Sequence, residues 1–417
     1  MDRRLTMGAD TITWRDTRKP LWPLALLVPA LPFAAWSLWH ATGAGWAWWL
    51  TPVIVFGVIP VADLLIGDDR ENPPEELVPA LQADGYYRWL TYLYLPAQYA
   101  ALVLCCAVWT RGGLSWPAAA GLVATVGVVD GIAINTAHEL GHKRETAERW
   151  LSRIALAPTG YGHFHVEHNR GHHTRVATPE DPASSRLGET FWAFWPRTVW
   201  GSLRSAWRLE SGRLRLRGRT PWTWRNDVLN AWAMTVLLYA VLAVAFGPGV
   251  LVFLVLQAVV GFSLLEVVNY LEHYGLARQR TAAGRYEKVD PRHSWNSDRT
   301  VTNVFLFQLQ RHSDHHANPL RRYQTLRSFD ASPQLPAGYA TMVVAALLPP
   351  VWRRVMDHRV LAHYGGDLEL ANVHPPARAR LRGRRVAAPG PLSPAGPAPD
   401  PARGPRRAGP TRRSAGG

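Results

Sequence analysis

Apolar residues in this chain gather in long unbroken runs separated by polar stretches. Six runs, at approximately 21–40, 46–66, 89–109, 114–137, 229–246 and 249–271, are each close to the roughly 20 residues an α-helix needs to cross a ~30 Å hydrocarbon layer. The first two are joined by ATGAG, the third and fourth by TRGG, and the last two by little more than GPG. Each pair therefore reads as a helical hairpin with a minimal turn. The pattern predicts an all-α integral membrane protein with six transmembrane helices. A seventh apolar stretch, GYATMVVAALLPPVW from Gly338, is short and broken by Pro349 and Pro350, which suits an interfacial or buried helix better than a span.

Charge orients this arrangement. The three short connections hold one charge, Arg111, whereas the N-terminal segment, the 140–227 region and the C-terminal third are rich in arginine. The positive-inside rule then places both termini and the two long polar segments in the cytoplasm. Three regions follow: an N-terminal cytoplasmic segment at 1–20, a membrane domain over 21–374, and a tail at 375–417. The tail has ten arginines, ten prolines and one acid, Asp400, so it carries +9 of the chain's +15. With almost no large apolar residue it is expected to be disordered. Tryptophans near span ends, among them Trp22, Trp46, Trp48 and Trp89, suit the headgroup layer.

Composition excludes several chemistries. The two cysteines, Cys105 and Cys106, sit side by side in an apolar run, which leaves no cysteine zinc site, iron-sulfur module or disulfide framework. No GxGxxG follows a strand and no CxxCH is present, so no flavin-binding nucleotide fold or covalent haem is expected, nor any nucleic-acid partner.

The histidines carry the chemistry. Nine of the 16 fall in four clusters beside span ends: HELGHK (His138, His142), EHNRGHH (His168, His172, His173), NYLEHYG (His273) and LQRHSDHH (His312, His315, His316). Histidines four apart on a helix share a face and can reach one cation. The pairs His138/His142, His168/His172 and His312/His316 have this spacing, His315 shares the face of His312, and His173 is rotated away from His172 toward a second ion. One cation accepts four to six ligands, so nine imidazoles suggest two metals. Glu139, Glu167, Glu272 and Asp314 adjoin these histidines and are expected to orient the rings. His40, His163, His165, His293, His358, His363 and His374 fall outside the pattern.

HELGH alone matches the HExxH zinc protease signature, but a protease uses His138, Glu139, His142 and one further ligand. It leaves most of the clustered histidines without a task. A histidine-rich metal transporter is a third reading, although transporters place their ligands at the midplane. Asp63 and Asp130 lie in or at the ends of spans, where acids are functional candidates by default.

At these clusters the chain resembles the integral-membrane, histidine-rich di-iron desaturases and hydroxylases, and within them the bacterial membrane-bound alkane 1-monooxygenase family. HELGHK, EHNRGHH and LQRHSDHH match three histidine boxes, and NYLEHYG matches an additional motif. NPPEE from Asn72, ATPEDPASSR from Ala177 and HSWNS from His293 are also similar. The resemblance, over roughly residues 20–370, implies a multi-pass protein of the bacterial inner membrane holding two non-haem irons on the nine histidines at the cytoplasmic side. It implies hydroxylation of terminal methyl groups of n-alkanes with O2, using electrons from rubredoxin and its NADH-dependent reductase. Lys143, Arg144, Arg170, Arg175, Arg311 and Arg321 would form a basic docking face for that donor. Val55 matches a second-span position that limits chain length when bulky, which makes it a candidate substrate-binding residue. A desaturase or alkylaromatic hydroxylase is the related alternative.

Overall fold

The computed structural model describes residues 3–7 and 10–382, with side chains from Trp14 onward. Among these, six helices are long and apolar enough to cross a membrane: Trp22–Thr42, Gly45–Ile66, Gly85–Arg111, Trp116–Gly141, Asp227–Phe246 and Val250–His273. They are the first to sixth spans below, and each overlaps a run read from the sequence. The fourth is central: 78% of its most apolar window is buried, against at most 44% for any other span. Its glycines explain how a helix can be so enclosed. A Cβ at Gly127 would lie 2.5 Å from Val260, and one at Gly131 would lie 2.9 Å from the carbonyl oxygen of Gly261. Small residues four apart let the backbones of the fourth and sixth spans approach closely, which is how helices associate where lipid offers no hydrophobic drive.

Among the described residues, the one pair of strands in an otherwise all-α fold is an antiparallel hairpin, Arg3–Met7 with Asp10–Trp14. Its second strand is DTITW, where β-branched residues and an aromatic favour extended backbone. The seventh apolar stretch forms a helix, Tyr339–Ala346, whose inward residues include Tyr339, Met342 and Val343, and Pro349 starts a separate helix, Pro349–His363. Of the span-end tryptophans, Trp22 and Trp48 are buried in the core, whereas Trp46 and Trp89 are exposed. Helix continues through Pro375–Ala377 and Arg378–Arg382, with Ala377 and Leu381 buried. The boundary expected at 375 therefore falls before the end of the packed chain, and 383–417, the rest of the expected tail, lies outside the described residues.

Polar segments between the fourth and fifth spans and after the sixth fold over one end of the bundle. Ion pairs tie them together. Arg322 meets Glu148 at 3.0 Å and Glu145 at 3.2 Å. The guanidinium of Arg311, fully buried, donates to the carbonyl oxygens of Asp69, Glu71 and Leu326 at 2.9, 3.1 and 2.8 Å. It thereby pins the loop before NPPEE against the segment carrying His312. Asn72 reinforces this by exchanging hydrogen bonds with the backbone of Ser328. Asp63 is part of the same scaffold: its carboxylate accepts from the backbone N–H of Thr302 at 3.0 Å and from that residue's hydroxyl. Asp130 accepts a hydrogen bond from Gln98 at 2.8 Å, away from the histidines.

Candidate metal centre

All nine clustered histidines converge at one end of the bundle, in two groups. His138, His142, His168, His173 and His315 form one; His172, His273, His312 and His316 form the other; the potential donor atoms within each lie within 4.8 Å of one another. His138 and His142 end the fourth span and His273 ends the sixth. The other six come from two short helical segments, around Glu167–His172 and at His312–Ala317. The inward nitrogens crowd together. His138 Nε2 is 2.7 Å from His315 Nε2, His173 Nε2 is 3.1 Å from both His168 Nε2 and His315 Nε2, and His312 Nε2 is 2.9 Å from His316 Nε2.

The division differs from the one spacing predicts. His168 and His172 are four apart yet belong to different groups, because Glu167–His172 is a π-helix. Its i→i+5 bonding, seen in the hydrogen bond from the His173 N–H to the His168 carbonyl, brings the fifth residue rather than the fourth back alongside the first. His173 therefore joins His168. His312 and His315 also separate, with His315 turning to the five-membered group and His312 staying with His316.

These groups fit cations. Burial holds the rings of His142, His168, His173, His312, His315 and His316 well below the usual imidazole pKa, with neighbouring histidines adding to the effect. Neutral imidazole is the form that binds metal. The Nε2 atoms of His142, His172 and His273 are buried without a hydrogen-bond partner. An orphaned buried polar atom costs about 1–3 kcal/mol, and ligation of a metal ion would satisfy all three. Nine imidazoles suit iron, zinc or copper by donor type.

Of the four acids expected to orient rings, only Glu272 touches one. Its Oε2 lies 3.2 Å from His312 Nε2, the nitrogen that also faces His316. Glu272 therefore stands on the inner side of the ring, beside the four-histidine group but outside its set of mutually close donor atoms. Glu139 instead pairs with Lys143 at 3.0 Å and accepts from the Tyr323 N–H. Glu167 holds Arg175 at 2.8 Å. Asp314 binds Asn318, Arg321 and the Arg327 N–H. Each is drawn to cations or amides of the surrounding loops, which compete better for a carboxylate than a ring whose free nitrogen points elsewhere.

The ring-orienting carboxylate that sequence reasoning missed is Asp181. His172 Nδ1 donates to its Oδ2 at 2.9 Å, and Ser184 Oγ donates to the same oxygen at 2.6 Å. Burial alone would raise the Asp181 carboxyl, but His172 and the Ser184 hydroxyl hold it below the usual value. Asp181 lies within ATPEDPASSR, nine residues from its partner in the chain, and nothing in that interval signals contact. His293, one of the histidines outside the clusters, contributes its carbonyl oxygen, 3.3 Å from His273 Nδ1.

An apolar cavity reaches the centre. Val55, Phe56, Ile59, Leu264, Val268 and Val343 line its walls, and His138, His168 and His312 border it together with Glu272. It touches both histidine groups. Val55 is buried, within a second π-helical turn, Ile54–Val58, of the second span. The expected basic docking face is largely unavailable: Lys143 and Arg311 are buried, and Arg170 and Arg175 are paired with acids.

Comparison with known proteins agrees with this architecture. The fatty acid desaturase family model matches residues 114–346, a range that begins at the fourth span and includes all nine histidines. The chain is 49% identical over 330 residues to alkane 1-monooxygenase of Acinetobacter baylyi, covering 79% of this chain and 81% of that protein. It is 48% identical over 357 residues to alkane 1-monooxygenase of Ectopseudomonas oleovorans, covering 85% and 88%. Xylene/toluene monooxygenase hydroxylase component of Pseudomonas putida is more distant, at 25% over 234 residues, 56% of this chain and 62% of that one. The chain therefore belongs to the fatty acid desaturase family of histidine-rich membrane enzymes, in its alkane 1-monooxygenase group.

Proposed function

We propose that this enzyme hydroxylates the terminal methyl group of n-alkanes to give 1-alkanols, at two non-haem irons held by His138, His142, His168, His173 and His315 and by His172, His273, His312 and His316. The observation that carries the reading is the apolar cavity bordered by rings of both histidine groups. Two irons bound there would supply the activation of O2 that an unactivated C–H bond demands. The chain supplies the rest. An alkane has no polar handle, so wall shape alone selects it, and Val55, Phe56 and Leu264 form such a wall. The same apolar lining excludes water from the reacting carbon. Asp181 and the His293 carbonyl fix the His172 and His273 rings from behind, and Glu272 sets a carboxyl group beside His312.

Rubredoxin, reduced by an NADH-dependent reductase, is the proposed electron donor, and the bacterial inner membrane with both termini and the metal centre cytoplasmic is the proposed location. The membrane domain proposed for 21–374 extends to Arg382 on the packing described above. Alkanes are favoured over alkylaromatics because relatives named alkane 1-monooxygenase match at 44–49% identity over most of the chain.

The test is NADH- and O2-dependent oxidation of a series of n-alkanes in membranes supplied with rubredoxin and its reductase, together with metal analysis. About two irons per chain and 1-alkanol products are expected. Replacing His138, His172, His273 or His315 with alanine should abolish oxidation and lower bound iron; full activity in two of these variants would defeat the reading. Glu139→Gln distinguishes the protease alternative, because Glu139 faces Lys143. Alkane oxidation is expected to persist in that variant, whereas an HExxH protease would lose its general base.

A further inference from the structure

Helix Phe191–Arg215 and the turn that follows it are built inside out for a segment surrounded by water. Past its first turns the helix turns mostly polar residues inward: Thr198, Ser202, Ser205, Glu210 and Ser211 are buried, beside Ala206 and Leu214. Its outward stripe begins with Trp192, Pro196 and Trp200 and continues with Arg204, Arg208 and Arg215, all exposed. The turn then exposes Leu216, Trp222 and Trp224, at 91%, 74% and 76%. Between Phe191 and Arg225 there are eight arginines and one acid, Glu210. Arg197 and Arg213 are paired with Glu189 and Glu210, whereas Arg204, Arg208, Arg215, Arg217, Arg219 and Arg225 face no carboxylate among the described residues.

We propose that this segment lies in the plane of the membrane interface, with Trp192 and Trp200 among the upper acyl chains and its six unpaired arginines on anionic phospholipid headgroups. Continuity with the lipid-facing surface supports that occupant. The helix packs on the sixth span, where Trp195 Nε1 donates to Ser263 Oγ at 2.9 Å and stacks on Phe262 at 5.9 Å. Trp192 Nε1 donates to the Leu347 carbonyl at 3.1 Å, which joins its ring to exposed Val344, Leu348 and Val351. Charge complementarity supports it too, since tryptophan with clustered arginine is the composition of an interfacial helix on an anionic leaflet. An acidic soluble protein would be met by the arginines alone and would leave the exposed aromatic stripe in water. The proposal goes beyond the reaction and does not depend on it.

The full-length enzyme tests this in nanodiscs of phosphatidylcholine, with or without phosphatidylglycerol. A nitroxide at Trp200→Cys, with Val244→Cys of the fifth span as lipid reference and Glu180→Cys as aqueous reference, reports depth by oxygen against nickel-chelate relaxation. Cys105 and Cys106 are buried and do not compete for label. Position 200 should read close to position 244; a value matching position 180 overturns the proposal. Native mass spectrometry then counts retained phosphatidylglycerol. Replacing the six unpaired arginines with glutamine should lower its retention by well over about tenfold, with metal content unchanged as evidence of folding. Unchanged retention would overturn the proposal, and a raised KM for rubredoxin in the same variant would then assign the arginines to that protein.

Discussion

At the scale of single residues, the site depends on what stands behind each ring. Asp181 is the clearest case: it is buried, it binds His172 Nδ1, and Ser184 holds it in turn. Such outer partners typically contribute 10–100-fold to metal affinity. Asp181→Ala is therefore expected to lower iron affinity by about that factor, measured by competition with a chelator. Asp181→Asn, which can still accept from the ring, should recover part of it. Val55 makes a separate prediction. Its side chain borders the cavity, so Val55→Trp should shift the preferred alkane to shorter chains, read from the product profile over an n-alkane series; an unchanged profile would remove Val55 from the channel. The sequence made the clustered histidines legible because clustering is itself improbable. It did not make their partners legible: three of the four neighbouring acids turn toward Lys143, Arg175 or the Arg321 loop, and the acid that matters to His172 comes from the next turn of chain.

At the scale of elements, two features separate pattern from structure. Hydropathy located all six spans because a membrane demands continuous apolar length, a property read without tertiary context. Helical spacing failed inside EHNRGHH because one π-helical stretch changes which residues share a face. No composition rule marks such a stretch, which owes its geometry to the contacts of the surrounding fold. The packing of spans is similarly local. Gly127 and Gly131 are where the fourth span meets the sixth, and a side chain at 127 would collide with Val260. Gly127→Val should cost about 1–3 kcal/mol through overpacking, seen as a lower Tm of the solubilised enzyme. Gly57, with open space around its Cβ position, serves as a control, and Gly57→Ala should leave Tm nearly unchanged.

At the scale of the whole molecule, loops distant in the chain are drawn together by polar groups that a membrane interior could not accommodate. Arg311, next in the chain to His312, is bound by carbonyls of residues 69, 71 and 326. The centre is thereby clasped between the second connection and the last third of the protein. The sequence showed these segments as motifs without showing that they meet. Their meeting also makes the two histidine groups unequal: His142 and His173 are partly open to solvent, whereas all four rings of the other group are buried. On the proposed two-iron reading, a chelator applied to the native enzyme should therefore draw out metal in two kinetic phases, the faster from the group with exposed edges. The enclosed ion would leave only when the clasp opens. On the proposed two-iron reading, the enclosed ion is expected to enter while the chain is still assembling, so that activity lost to iron starvation during synthesis should not return on later supplementation.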